Sequence, residues 1–338
     1  MNKSTLYRAI TAAMAISIAA CSSGTDVAGI GGSGITSSGT ITGFGSIFVN
    51  GVEFKTSSST FNVDDNPDGT EDDLAIGMHV TVNGTLNADG VTGNATSVTY
   101  DDQLQGPVGA PPIDIDTENK TITVLGIVVA LNSTTTQFDI DDSVPGSFNF
   151  NNIKKGDNVE ISGLFDSAGK LIATRVELKE QAFTIDSSIV ELRGTIADLI
   201  GPNFTLNLQG MAGATVDIVT SSGTAYDDLP PGGLVDGAFV EVKGTCPDVT
   251  CTTIEATRIQ GESEGFDGDS DGDGDVEIEG FITRYVDDSD FDVDGLPVDA
   301  SDAQKEPPSL ILIKDLLVEV KGTVVNNVLM ASKVELED

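Results

Sequence analysis

Five aspartates fall at alternate positions within nine residues, Asp267-Gly-Asp269-Ser-Asp271-Gly-Asp273-Gly-Asp275. Carboxylates at that spacing, separated by glycines that permit a sharp turn, are the raw material of a calcium loop, because Ca²⁺ gathers several hard oxygen ligands around one point. A second run, Asp64-x-Asn66-x-Asp68-Gly69, opens in the same manner. Neither continues as an EF-hand. The position that should hold a bidentate Glu is Ile278 counted from Asp267, Gly280 from Asp269 and Ala75 from Asp64. The 267–275 run reads equally as a calcium site and as a solvated, self-repelling spacer, and the 64–68 run reads better as a spacer. Ca²⁺ is the one cofactor the sequence suggests.

Other chemistry is sparse. Cys246 and Cys251, in TCPDVTC, suit a disulfide across a turn made by Pro247-Asp248. So short a loop is worth about 2 kcal/mol. With no histidine nearby the pair makes neither a thioredoxin-type motif nor a zinc site. His79 is the sole histidine. It lies beside Val80 on a strand, with the opposite side-chain direction, which points it to solvent and away from any triad. No Gly-Lys phosphate cradle is present, and no free cysteine is left for nucleophilic catalysis. A carboxylate pair could cleave a glycoside, but among 54 acidic residues no two stand out. The chain therefore reads as a protein that is not an enzyme.

The first twenty residues carry Lys3 and Arg8, followed by an uncharged stretch from Ala9 to Ala20. That stretch is too short to span a bilayer core of about 30 Å and reads as an export signal over 1–20. Its end, Ile18-Ala19-Ala20-Cys21, resembles the lipobox of bacterial lipoproteins. The resemblance implies cleavage before Cys21, lipidation of that cysteine and anchoring in a membrane. Ser22 at the next position, where Asp would signal retention at the inner membrane, implies an outer-membrane lipoprotein of the cell envelope. Residues 21–38, rich in Gly and Ser, read as a flexible tether of about 20 to 25 Å. Without Lys3 and Arg8 the mature chain has 15 basic and 54 acidic residues, a net charge of −39. Such a surface repels a polyphosphate, so no nucleic-acid partner is expected.

The elements that must position all this repeat four times. GMHVTVNG, GDNVEISG, GAFVEVKG and DLLVEVKG close on Gly84, Gly163, Gly244 and Gly322, which lie 79, 81 and 78 residues apart. Val80 and Val82, Val159 and Ile161, Val240 and Val242, and Val318 and Val320 alternate with polar neighbours, as half-buried strands do. Asn50-Gly51 marks a hairpin in the first copy. Each copy reads as five strands with a short irregular or helical segment before the fourth, which is an OB-type barrel. The fold class is all-β, a tandem array of four small OB-like five-stranded barrels over 39–102, 103–181, 189–262 and 276–338, with an acidic linker at 263–275. Each copy carries its own five strands and is expected to fold alone. Asp315 stands where the other copies have Gly77, Gly156 and Gly237, so the turn there should differ. Phe61, Phe138 and Tyr226 recur after the third strand, where the fourth copy has Ala300, and read as core plugs.

The pattern L-x-x-G-x-x-V-x-V-x-G followed by A-[TS]-x-V, with its second half at Ala95-Thr96, Ala173-Thr174, Ala256-Thr257 and Ala331-Ser332, resembles a repeat family of uncharacterised bacterial lipoproteins and exported proteins. The resemblance implies an OB-like barrel and an envelope location, and no chemistry. The expectation is a lipid-anchored, non-catalytic scaffold or binding module that meets an envelope protein or glycan. The alternatives are a glycan-processing enzyme working through paired carboxylates and a calcium-stiffened adhesin.

Overall fold

The computed structural model describes residues 34–64, 66–209, 213–262 and 274–337. The expected Cys21, signal peptide and most of the tether lie outside them, as do Asp267, Asp269, Asp271 and Asp273. The protein is all-β. The only helix among the described residues is a single 3-10 turn, Glu71–Asp73.

Each copy closes the same circuit of five strands. In the first, Ile35–Thr40 leads to the hairpin Ile47–Val49 and Val52–Lys55, turned by Asn50 and Gly51 at φ 50° and 71°. Val52–Lys55 lies parallel to the last strand, Thr92–Tyr100. That strand pairs antiparallel with His79–Leu86, which returns to Ile35–Thr40, and a Gly43 to Phe48 bridge closes the ring. The order 1-2-3-5-4-1 with strands three and five parallel is that of an OB barrel. The same circuit recurs from Leu104–Pro107 to Leu171–Glu180, from Ile189–Ile200 to Thr253–Gly261 and from Asp275–Asp287 to Val328–Leu336. The residues predicted to point inward on each fourth strand, from Val80 to Val320, are all buried.

A sixth short strand was not legible. In the first copy the stretch after Val52–Lys55 breaks at a turn, where the Ser59 amide donates to Thr56 O, and resumes as Thr60–Val63. Thr60–Val63, Gln137–Ile140, Ala225–Asp227 and Gln304–Glu306 all run parallel to their barrel's last strand. Their register aligns Phe61, Phe138 and Tyr226 with Lys305, since these face Val98, Val176, Ile259 and Val334 in turn. The fourth counterpart is therefore Lys305 and not Ala300. Phe61 is buried and Phe138 packs edge-on against Phe148 and Phe150, but Tyr226 is 41 % exposed and plugs nothing.

The signature glycine has a steric cause. At Gly84, Gly163, Gly244 and Gly322 the fourth strand slips its register against the fifth. A Cβ there would sit 2.3, 2.3, 2.4 and 2.2 Å from the carbonyl oxygens of Asn94, Ile172, Glu255 and Met330. Only glycine allows the backbones so close at the bulge. The Thr or Ser of the A-[TS] pair secures it, as Thr96, Thr257 and Ser332 donate to the carbonyls of Asn83, Lys243 and Lys321.

Two further expectations are corrected. The turn at Asp315 does not differ from the others. Gly77, Gly156 and Gly237 sit at φ 89°, 89° and 87°, and Asp315 adopts φ 64°. In all four copies this residue's amide donates back to the first strand's edge, at Ile41, Val108, Ile196 and Ile282. Asp is among the residues that enter the left-handed region most readily. The tether is also shorter than 21–38, because its last residues are strand Ile35–Thr40, buried along most of its length.

The barrels are joined edge to edge. Ile35–Ser38 of the first pairs parallel with Asp275–Ile278 of the fourth. Leu104 and Gln105 of the second pair antiparallel with Leu192 and Glu191 of the third. Barrels two and three share one continuous apolar core.

Candidate functional site

The second barrel follows the first after only three residues, Asp101 to Gln103, and this short link draws polar groups from three barrels together. Gln103 is held at both ends, its amide donating to Ile161 O at 3.1 Å and its Oε1 accepting from the Gly163 amide at 3.0 Å. Asp102 beside it is thereby fixed between barrels. Asp64 arrives from the end of Thr60–Val63, with its amide donating to Tyr100 O at 2.9 Å and its φ at 48° turning the chain. Glu160 sits on Asn158–Phe165 between the inward-facing Val159 and Ile161, so it points out of its own barrel. Strand alternation would leave such a glutamate in water. It is 4 % exposed because another barrel covers it.

One carboxylate oxygen each from Asp64, Asp102 and Glu160 lies within 4.8 Å of the other two. Asp102 is 2 % exposed, and neither its Oδ1 nor that of Asp64 has a hydrogen-bond partner. Glu160 is better served. The Tyr100 hydroxyl donates to its Oε1 at 3.2 Å and lies 2.8 Å from Ser162 Oγ, and Lys179 Nζ is 3.0 Å from its Oε2.

Electrostatics follow from burial. Desolvation pushes the Asp102 carboxyl well above the usual carboxylate range, and Glu191, Glu160, Asp64 and Glu241 add like-charge repulsion. Asp64 is pushed up to about 7 by desolvation and then by Glu160, against the pull of Lys179 and Lys243. Burial raises the Tyr100 phenol far above its ordinary value, with Glu160 next. Burial opposes the charge of Lys179, but Glu160 and Glu177 raise its pKa overall.

A related device recurs at the other junctions. In barrel three, Lys243 Nζ meets Glu191 at 2.7 Å and Arg193 meets Glu241 at 2.8 Å. In barrel four, Lys321 pairs with Glu277 and, at 3.0 Å, with Glu319. The residue facing Lys243 or Lys321 across strands one and four is Glu191 or Glu277. In barrel one the same place holds Thr36 and Asn83, hydrogen-bonded at 2.8 Å. Barrel two has Ser162 in place of the lysine, which leaves Glu160 to Tyr100 and the more distant Lys179.

The residues singled out by sequence fare differently. Cys246 and Cys251 are joined as a disulfide and buried. Asp275 opens a strand, its amide donating to Gly34 O at 3.2 Å. Asp64 and Asp68 do not share a loop site. Asp68 is exposed, with its amide on Asn66 Oδ1 at 3.2 Å, while Asp64 turns inward to Asp102 and Glu160. His79 is half-buried and not solvent-facing, because its outward face meets Ser38 Oγ at 3.1 Å and its Nδ1 is enclosed without a partner. Asp102, Glu160, Glu191, Glu241, Glu277 and Glu319 were missed. The signal was present in the Val-Glu pair of the fourth strands, where Glu160, Glu241 and Glu319 recur at one outward position, but a polar residue there also reads as a wetted strand face.

Comparison with known proteins adds the family and little more. The family described as a domain of unknown function (DUF5666) matches residues 35–99, 105–177 and 279–335. The third barrel lies outside these segments yet closes the same strand circuit. A solved structure described as "drosophila Unr CSD456" is 15 % identical, covers 70 % of this chain and 98 % of its own, and has a TM-score of 0.17, which carries no argument. No curated protein matches.

Proposed function

Since the chain belongs to the DUF5666 family, which has no assigned activity, the reading must come from its geometry, and we propose that it is a lipid-anchored, non-catalytic scaffold of the bacterial cell envelope. The single observation that carries this is that first strands pair barrel one with barrel four and barrel two with barrel three, and hydrogen bonds from Thr174 to Gly77 O and from the Ser167 amide to Asp315 link the two pairs into one block. A scaffold needs that property, and hydrolysis does not. The carboxylates with raised pKa, the groups a glycosidase would use as acid and base, are enclosed between barrels, where a polymer has no access. Cys21, lipidated at the mature N-terminus, would hold the block at the outer membrane, and its acidic faces would meet an envelope protein or glycan.

Two linked measurements test this. A fatty-acid analogue should label wild type and not Cys21→Ala, and only the variant should leave the membrane fraction. Purified protein mixed with peptidoglycan sacculi should co-sediment without releasing reducing ends. Turnover that disappears in Glu160→Gln would replace the scaffold with an enzyme.

A further inference from the structure

We propose that Asp64, Asp102 and Glu160 bind one divalent cation, Ca²⁺ in preference to Mg²⁺, at the junction of the first three barrels. The geometry is that of a ligand set. Three carboxylate oxygens from two barrels and the segment linking them lie within 4.8 Å of one another, no wider than about twice a Ca–O distance of 2.3–2.6 Å. The donors are all hard oxygens with no nitrogen or sulfur among them, which selects against transition metals.

The second observation is independent of the clustering. Asp102 is almost wholly enclosed and Oδ1 of its carboxylate has no hydrogen-bond partner. A buried polar atom is kept in a fold where something satisfies it, and this oxygen has no amide, hydroxyl or ammonium beside it. Asp64, Asp102, Glu160, Glu191 and Glu241 converge on this junction, and Lys179, Lys243 and Arg193 pair with its glutamates and leave Asp102 unpaired. Bound there, the ion would tie barrel one to barrel two across their three-residue link.

The site reports on itself. The chain has no Trp, and the hydroxyl of Tyr100 lies 3.2 Å from Glu160 Oε1, so Tb³⁺ bound here would be sensitised by that tyrosine. The test uses the full chain, stripped of metal by chelator and titrated with Tb³⁺ under tyrosine excitation, with Ca²⁺ added as competitor and Ca²⁺ binding followed separately by calorimetry. The expected result is saturable emission that Ca²⁺ displaces, one equivalent of Ca²⁺ bound and a rise in melting temperature with Ca²⁺. Asp102→Asn and Glu160→Gln should weaken binding at least about tenfold. Tyr100→Phe should lose the emission and keep the heat of Ca²⁺ binding, which separates this site from Tyr285, whose hydroxyl meets Asp288 at 2.8 Å. Asp269, Asp271 and Asp273 changed together to Asn should leave the emission intact. Wild type without saturable emission, or emission abolished by those three changes and not by Tyr100→Phe, would overturn the proposal whether or not the buried variants fold.

Discussion

At the scale of single residues, the repeat signature records close contacts more than chemistry. Gly244→Ala would drive a Cβ to 2.4 Å from Glu255 O, so the bulge must open. A loss of about 1–3 kcal/mol is expected, read as a lower urea midpoint with unchanged slope. Ala at Gly90, where the added Cβ meets nothing but φ is 73°, should cost less, about 1–2 kcal/mol from backbone strain alone. Glu277 supplies a pH dependence. Enclosure and then its hydrogen bond to Glu319 push its carboxyl up to about 8, since Lys321 alone cannot neutralise both glutamates. The folded state then holds a proton that the unfolded chain releases near the ordinary carboxylate value of about 4.3. Its contribution is complete below that pH and is lost as the pH rises through 8. Melting temperature should fall between pH 5 and pH 9, and Glu277→Gln should flatten that fall. The glycines were legible in the sequence as a period, whereas their cause was not, because the opposing carbonyl belongs to another strand. Asp102 was illegible for a similar reason, since nothing in Tyr-Asp-Asp-Gln says that a second barrel closes over it.

Among the elements, the fourth and fifth strands of every barrel could be read from alternation and the first copy's hairpin turn from Asn50-Gly51, because these are local. The sixth strand could not, since Thr60–Val63 exists only through its parallel pairing with Thr92–Tyr100, a contact 37 residues away. Which barrel meets which was also hidden. The apolar core that runs from Leu104 through Leu192 to Ile259 is shared by barrels two and three. A fragment of residues 103–262 should therefore melt in a single cooperative transition followed by circular dichroism, and residues 185–262 alone should melt lower or not cooperatively. Equal melting temperatures for the two fragments would show that the shared core adds nothing. Reducing Cys246 and Cys251 should lower the longer fragment's stability by about 2 kcal/mol.

Seen whole, the molecule places charge in two ways. Among the described residues many acidic side chains are exposed, where they oppose self-association, and a few are drawn into the junctions, where lysines, an arginine and a tyrosine meet them. The sequence conveyed the first through composition and concealed the second, because burial between barrels belongs to no single repeat. The proposed scaffold requires the four barrels to form one rigid block and not beads on a string. The contact that decides it is Ile35–Ser38 against Asp275–Ile278, the ends of the array brought together. Val91 in barrel one and Val286 in barrel four are both exposed and suit spin labels after change to Cys in a Cys21→Ala background with the native disulfide retained. Double electron–electron resonance between them should give one narrow distance distribution, unchanged between low and high salt. A broad distribution that contracts as salt screens the acidic chain would mean that the first and fourth barrels are not joined, and the scaffold reading would fall with it.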